Sequence, residues 1–154
     1  MTEEPRYKKI VIPLDGSGWS ERAVQHALLH AEKGSEIILL HVFVPPAYEY
    51  TDQLALAGQE QQIDMMREQT KQYLLGIRNQ LRSQGITVRI QMIEGSQVAH
   101  HICDYIDDEG VDLVVMSTHG RTGLARFLFG SVAQKVMQAI SVPVLLVRPD
   151  KQDS

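Results

Sequence analysis

The amino-acid sequence predicts an α/β fold: a doubly wound, five-stranded parallel sheet with helices on both faces. Three observations carry that expectation. Five short runs are nearly unbroken in apolar character, four segments between them carry apolar residues at helical spacing, and the two kinds alternate along the chain. Such alternation implies parallel strands joined by right-handed crossovers. A strand covered on both faces reads as continuous hydrophobic sequence rather than as an alternating one.

The first strand is read from "KKIVIPLD", Lys8 to Asp15. A helix over Ser20 to Lys33 follows, with Ala23, Ala27, Leu28 and Ala31 on one face and Gly34 as its stop. "SEIILLHVFV", Ser35 to Val44, is the second strand. Residues 45–58, "PPAYEYTDQLALAG", do not fit the alternation and read as a long excursion from the carboxyl end of that strand. From Gln59 to Ser83 the residues Ile63, Met66, Thr70, Leu74, Ile77 and Leu81 form one apolar stripe, closed by Gly85. "TVRIQMIEG", Thr87 to Gly95, alternates more and suits a sheet edge or a wetter face. A helix over Ser96 to Glu109 groups Val98, Ile102, Tyr105 and Ile106. "VDLVVMST" then "VPVLLVRP" supply the last two strands, with a helix over Ser131 to Ile140 between them.

Length and composition set the outer bounds. A chain of 154 residues suits one domain over 1–154, with a frayed tail at 150–154. Acidic residues outnumber basic ones 19 to 15, a balance of −4 that argues against a nucleic-acid partner. Cys103 is the lone cysteine, so no intrachain disulfide forms, which suits a reducing interior. The segment "MTEEPRYKK" has no apolar signal core and no apolar run reaches membrane-spanning length, so a cytoplasmic protein with no membrane association is expected.

In doubly wound sheets ligands sit beyond the carboxyl ends of the strands, where the strand order reverses. Three strand ends supply chemistry there: Pro13-Leu14-Asp15-Gly16-Ser17, His41-Val42-Phe43, and Met116-Ser117-Thr118-His119-Gly120. The stretch "STHGRTGLARFLFGS", Ser117 to Ser131, is the most informative. Gly120 and Gly123 let backbone amides approach an anion without Cβ interference. Gly130 and Ser131 precede a helix whose free N–H groups and positive dipole end favour phosphate. Arg121 and Arg126 add charge-assisted donors. A glycine turn is needed in every strand-to-helix unit. The coincidence of glycines, serine and arginines at a predicted crevice is what favours phosphate. Other phosphate and hydrolase signatures are absent: there is no G-x-x-x-x-G-K-[ST], "DGSGWSE" carries Glu21 where a dinucleotide fingerprint has its third glycine, and no G-x-S-x-G occurs.

With those residues in view, the sequence resembles the universal stress protein family. Its nucleotide-binding branch carries G-x2-G-x9-G-[ST] after the fourth strand; here Gly120, nine residues and Gly130-Ser131 match, and Ser117 replaces the first glycine. "VIPLDGSGWSERAVQHAL" looks like the family's opening unit, "ILLHV" its second strand, and Ser117 to Pro149 its closing third. The resemblance implies a Rossmann-like fold of the adenine nucleotide alpha hydrolase-like type and a cytoplasmic, ATP-binding homodimer of stress physiology. By it, Pro13, Asp15 and Val42 surround adenine and ribose, and Met116 lies against base or sugar. Ser117, His119, Gly120, Gly130, Ser131 and Val132 hold ribose and phosphates, and Asp15 could face a Mg2+ among them. The family's dimer commonly forms through the last strand, here Val142 to Val147.

Each candidate has a plainer alternative. Asp15 could be a helix cap, but it ends a strand at the crevice. His119 reads as a nucleotide contact rather than a catalytic base. His41, inside an apolar strand, reads as a satisfied core histidine. His100 and His101 are adjacent on a helix and point to different sides. Cys103 reads as packing, Met65, Met66 and Met137 as core or groove filler, and Asp107-Asp108-Glu109 as a solvated helix end. For Trp19 the sequence leaves open whether it covers the crevice or packs on the first helix. The leading functional expectation is a regulatory ATP-binding module read by an unknown protein partner. The alternatives are a slow ATPase or phosphoryl or nucleotidyl transferase using Asp15 and His119, and a structural stress-response dimer without nucleotide.

Overall fold

The computed structural model describes residues 3–16, 18–46, 59–118 and 131–148, together with the backbone but not the side chains of Gly18 and Trp19. Nine elements follow in order: β1 (Lys9–Pro13), α1 (Gly18–His30), β2 (Glu36–Phe43), α2 (Glu60–Arg82), β3 (Thr87–Glu94), α3 (Val98–Asp108), β4 (Leu113–Ser117), α4 (Ser131–Ala139) and β5 (Val144–Val147). The strands form one parallel sheet in the order β3-β2-β1-β4-β5. The chain steps outward from β1 to β3, then returns to the other side of β1 for β4 and β5. Right-handed crossovers place helices made while stepping one way on one face, and those made while stepping the other way on the opposite face. The core divides accordingly. Ala23, Val24 and Ala27 of α1 and Leu74, Ile77 and Leu81 of α2 pack with Ile10, Ile12, Ile37 and Leu39. Ile102, Tyr105 and Ile106 of α3 and Ala133 and Val136 of α4 pack with Val11, Ile38, Leu40 and Val114.

β1 is fixed deep in this stack: Ile10, Val11 and Ile12 are fully buried. Its register against β2 pairs Ile10 with Ile37 and Ile12 with Leu39. At its start, the Asp112 carboxylate accepts the Lys8 and Lys9 amides at 2.8 and 3.0 Å. The Lys9 ammonium donates to the Glu109 carbonyl at 2.9 Å, supplying a partner for the carboxyl end of α3. Asp107 and Asp108 are exposed there, as the solvated helix end anticipates. Glu109 is drawn toward Lys9 and Arg89 instead, at 3.9 and 3.7 Å.

Several boundaries differ from the sequence reading. α1 ends at His30, three residues short of Lys33, and Gly34, at φ +96°, turns the chain into β2. The Ser35 hydroxyl organises that turn, donating to the Tyr7 carbonyl at 2.6 Å and accepting the Glu32 amide at 3.0 Å. α3 begins at Val98 rather than Ser96, because Gln97 takes the N-cap position, without a side-chain cap bond. β3 is the edge strand that its alternating pattern suggested, with Thr87, Arg89 and Glu94 exposed. The excursion at 45–58 from residue 47 onward, and the tail at 150–154, lie outside the described residues.

Candidate functional site

Parallel strands that run out at the same end of a sheet leave their last residues uncovered where the order reverses, here between β1 and β4. A cavity of about 510 Å3 opens at that point. β1 contributes Pro13, Leu14, Asp15 and Gly16, β2 contributes Leu40 to Val44, and β4 contributes Met116 and Ser117. The first turn of α4 closes one wall with Ser131, Val132 and Ala133. The structure thus brings together seven of the ten residues singled out from sequence: Pro13, Asp15, Val42, Met116, Ser117, Ser131 and Val132. His119, Gly120 and Gly130 lie outside the described residues, as do Gly123, Arg121, Arg126 and the side chain of Trp19.

The turn after β1 is shaped by Gly16 at φ +87°, a left-handed conformation that costs glycine little. The Leu14 amide donates to the Leu40 carbonyl at 2.8 Å, and the Asp15 amide reaches the Ser20 hydroxyl at 3.4 Å. These bonds hold Asp15, half-buried, at the cavity rim. Among the described lining residues Asp15 supplies the carboxylate. In the same cavity, the amino end of α4 presents N–H groups without intrahelical acceptors and the positive end of a helix dipole. Val42 and Met116, at the ends of β2 and β4, are buried and line the cavity. One end of the site therefore favours an anion, while its walls favour a flat apolar group.

His41 corrects the sequence reading in part. It is not in the core but half-buried on the cavity wall, because β2 runs past the cover of its helices. It is satisfied all the same: its Nδ1 lies 2.7 Å from the Leu14 carbonyl, which can only accept, so Nδ1 carries the proton.

Beyond the groove role open to Met66, the sequence does not point to α2 as a wall of the site. Met66, Gln69, Thr70 and Tyr73 line the cavity. Met66 and Thr70 sit on the stripe that the helical spacing marks, but Met66, of the core or groove roles open to it, takes the groove: it is 42% exposed, and among the described α2 residues burial falls to Ile63, Leu74, Ile77 and Leu81. The signal was a threonine within an otherwise apolar stripe. The helix outruns the sheet toward its amino end, so its first turns face the crevice. Arg67 pins this region by forking onto Glu94 at 3.0 and 3.1 Å, reaching Asp64 at 2.6 Å, and stacking 5.5 Å over the Phe43 ring. Lower on the helix, the Tyr73 hydroxyl donates to Glu21 at 2.7 Å, tying α2 to α1. Burial, then the bond to Glu21, then the charges of Glu21 and Asp15 push the phenol well above its ordinary range, so it keeps its proton. Outside the cavity, Cys103 on α3 is half-buried against the core of that sheet face, and burial followed by Asp107 and Asp104 raises its thiol. His100 pairs with Asp104 at 3.1 Å, and, contrary to the expectation that the two adjacent histidines point to different sides, its ring stands edge-on to that of His101 with centroids 5.9 Å apart. Among the described residues no cluster of three or more His, Cys, Asp or Glu side chains is placed to hold a metal ion, and no helix is long and apolar enough to cross a membrane.

Comparison with known proteins adds to this geometry. A sequence model of the Universal stress protein family matches residues 6–148. Universal stress protein MJ0531 of Methanocaldococcus jannaschii is 32% identical over 150 residues, covering 97% of this chain and 87% of its own length. The solved structure of MJ0577 from the same archaeon superposes with a TM-score of 0.84 at 30% identity, covering 94% of this chain and 98% of that one. A universal stress protein family member from Arabidopsis thaliana, solved with AMP bound, shares the fold at a TM-score of 0.63 and 16% identity, over 95% of this chain and 94% of its own.

Proposed function

This chain belongs to the universal stress protein family, and on that premise we propose that it is a regulatory module that binds an adenine nucleotide, with ATP as the ligand. The observation that carries the reading is the cavity at the switch point, where the ends of β1, β2 and β4 meet the amino end of α4. Its chemistry suits a nucleotide from end to end. Phosphates meet the α4 amides and the Ser131 hydroxyl. Ribose lies near Asp15 and Ser117. The base lies among apolar side chains, with Pro13, Val42 and Met116 on its faces. His119, Gly120, Gly130 and Val132 complete the set proposed for ribose and phosphates. AMP bound in a fold neighbour is consistent with this assignment.

Mg2+ commonly arrives with phosphates and takes one or two carboxylates. Asp15, the carboxylate among the described lining residues, fits such a role beside a bound triphosphate. A phosphoryl-transfer enzyme fixes its metal and nucleophile with several dedicated groups. The reading is therefore binding and release rather than turnover. Nucleotide occupancy biases a homodimer formed through β5, and a partner protein reads that state.

Calorimetric titration with ATP, with and without Mg2+, tests the reading. Saturable binding below millimolar ATP is expected, with tighter binding when Mg2+ is present. Gly130→Val, which places a branched side chain among the amides, is expected to remove it. Wild-type protein that takes up no heat with millimolar ATP would discard the proposal. Steady phosphate release lost in Asp15→Asn, with ATP still bound, would favour the enzymatic reading.

A further inference from the structure

The walls of the cavity are not held equally. Ile12, Leu40 and Met116, all buried, anchor the three strand ends, and α3 and α4 bring the buried side chains of Ile102 and Ala133. The wall from α2 is different. Ile63 and Leu74 are buried, and no residue between them is. Met66, Gln69, Thr70 and Tyr73 all come from that stretch. Nor does a side chain cap the start of the helix, where Gln59 stands at the N-cap. Local opening is easiest where few apolar contacts oppose it. Among the described walls, α2 is therefore the one that yields.

What holds this stretch is polar. The Arg67 Nε and Nη2 donate to the two Glu94 carboxylate oxygens at 3.1 and 3.0 Å, and Nη1 donates to Asp64 at 2.6 Å. The same guanidinium stands 5.5 Å over the Phe43 ring. Phe43 and Glu94 are the last residues of β2 and β3 and are partners in the sheet register. One side chain thus clasps α2 to two strand ends. An isolated exposed ion pair contributes little, but a bidentate fork joined to a second carboxylate and an aromatic face is the exception. Neither Arg67 nor Glu94 is among the described lining residues, so any effect they have on a ligand passes through the position of the wall.

Resting on the nucleotide-binding reading, we propose that the α2 wall is the gate of the cavity and that Arg67 is its latch. With Arg67 on Glu94 and Phe43 the wall is shut. On release, the stretch from Asp64 to Thr70 swings away, giving up one buried side chain, Ile63. The bond from Tyr73 to Glu21 and the core anchor at Leu74 form its hinge. The clasp forms with the cavity empty and does not involve the ligand. Weakening it therefore speeds entry and exit alike and leaves the equilibrium affinity unchanged. Loss of a residue that contacts the ligand acts mainly on exit instead.

Amide hydrogen exchange of the full chain without ligand, and surface plasmon resonance with ATP over the immobilised full chain, test the latch. In Arg67→Ala, exchange over Asp64 to Thr70 is expected to rise about three- to tenfold, the range of one charge-assisted network with an aromatic contact, while Leu74 to Leu81 are unaffected. The association and dissociation rates of ATP are expected to rise together by that factor. Glu94→Gln is expected to move both readouts the same way, and Arg67→Lys, which keeps the charge but not the fork, to fall between. Salt is expected to quicken exchange over the same stretch in the wild-type protein and not in Arg67→Ala. The proposal is overturned if exchange over the stretch does not change, if it rises equally over Leu74 to Leu81, if the ATP rates stay as they are, or if dissociation alone quickens. In those four cases nucleotide binding itself stands. A wild-type protein that binds no ATP overturns the nucleotide reading instead, and the exchange measurement, made without ligand, still decides whether Arg67 latches the wall.

Discussion

At the scale of single residues, the tightest constraint outside the cavity is at Gly95. This buried glycine directly follows β3, its amide donating to the Phe43 carbonyl at 3.0 Å, and the His101 imidazole lies over it where a Cβ would stand. Its backbone is ordinary, so close approach rather than conformation calls for glycine there. Gly95→Ala is expected to destabilise the protein by about 1–3 kcal/mol, the usual cost of overpacking. In a His101→Ala background the same substitution is expected to cost little, because the obstructing ring is gone. Urea unfolding of the four proteins in that cycle measures the coupling. Equal costs in both backgrounds would show that the ring is not the obstacle. Pairs of this kind are not legible in sequence: Gly95 and His101 are six residues apart, and nothing in either residue type says that one rests on the other.

At the scale of elements, α2 does two jobs along its length. Leu74, fully buried, belongs to the core cluster with Ile37 and Leu39, while Met66 at 42% exposure faces the crevice. Leu74→Ala is expected to cost about 2–5 kcal/mol, as for a deleted core side chain. Met66→Ala is expected to shift stability by about 0.5 kcal/mol or less, as surface substitutions do, and to weaken ATP binding instead. Chemical denaturation paired with calorimetry separates the two effects, and a large stability loss at Met66 would return it to the core. The period of this helix was readable from its spacing. Where its stripe passes from core to cavity was not, because periodicity reports a face and not how far the sheet extends beneath it. Thr70 shows the limit: the sequence placed it correctly on the stripe, but only packing shows that the stripe there meets empty space.

At the scale of the whole molecule, the sheet has two edges of different character. β3 carries Arg89 and Glu94, with Arg89 bridged to Glu36 at 2.9 Å. Charges on an edge strand discourage pairing with another chain. β5, Val-Leu-Leu-Val, pairs with β4 on one side and carries no charge, and Val144, Leu145 and Leu146 are each half-exposed. That contrast supports the proposed homodimer through β5. Sedimentation velocity is expected to show twice the 17.3 kDa chain mass for the wild-type protein and a single chain for Leu146→Glu. A wild-type monomer at micromolar concentration would remove the dimer from the proposal.

What the residues determined alone was the fold class, the number and order of the elements, and the strand ends that line the cavity. These follow from short-range physics: apolar runs for strands covered on both faces, helical spacing for one-sided burial, and glycines at turns. The tertiary structure decided which strands stand side by side, which face of the sheet each helix covers, and that His41 and the first turns of α2 reach the cavity. Those outcomes depend on contacts between residues far apart in the chain, and pattern along a chain does not encode distance across it.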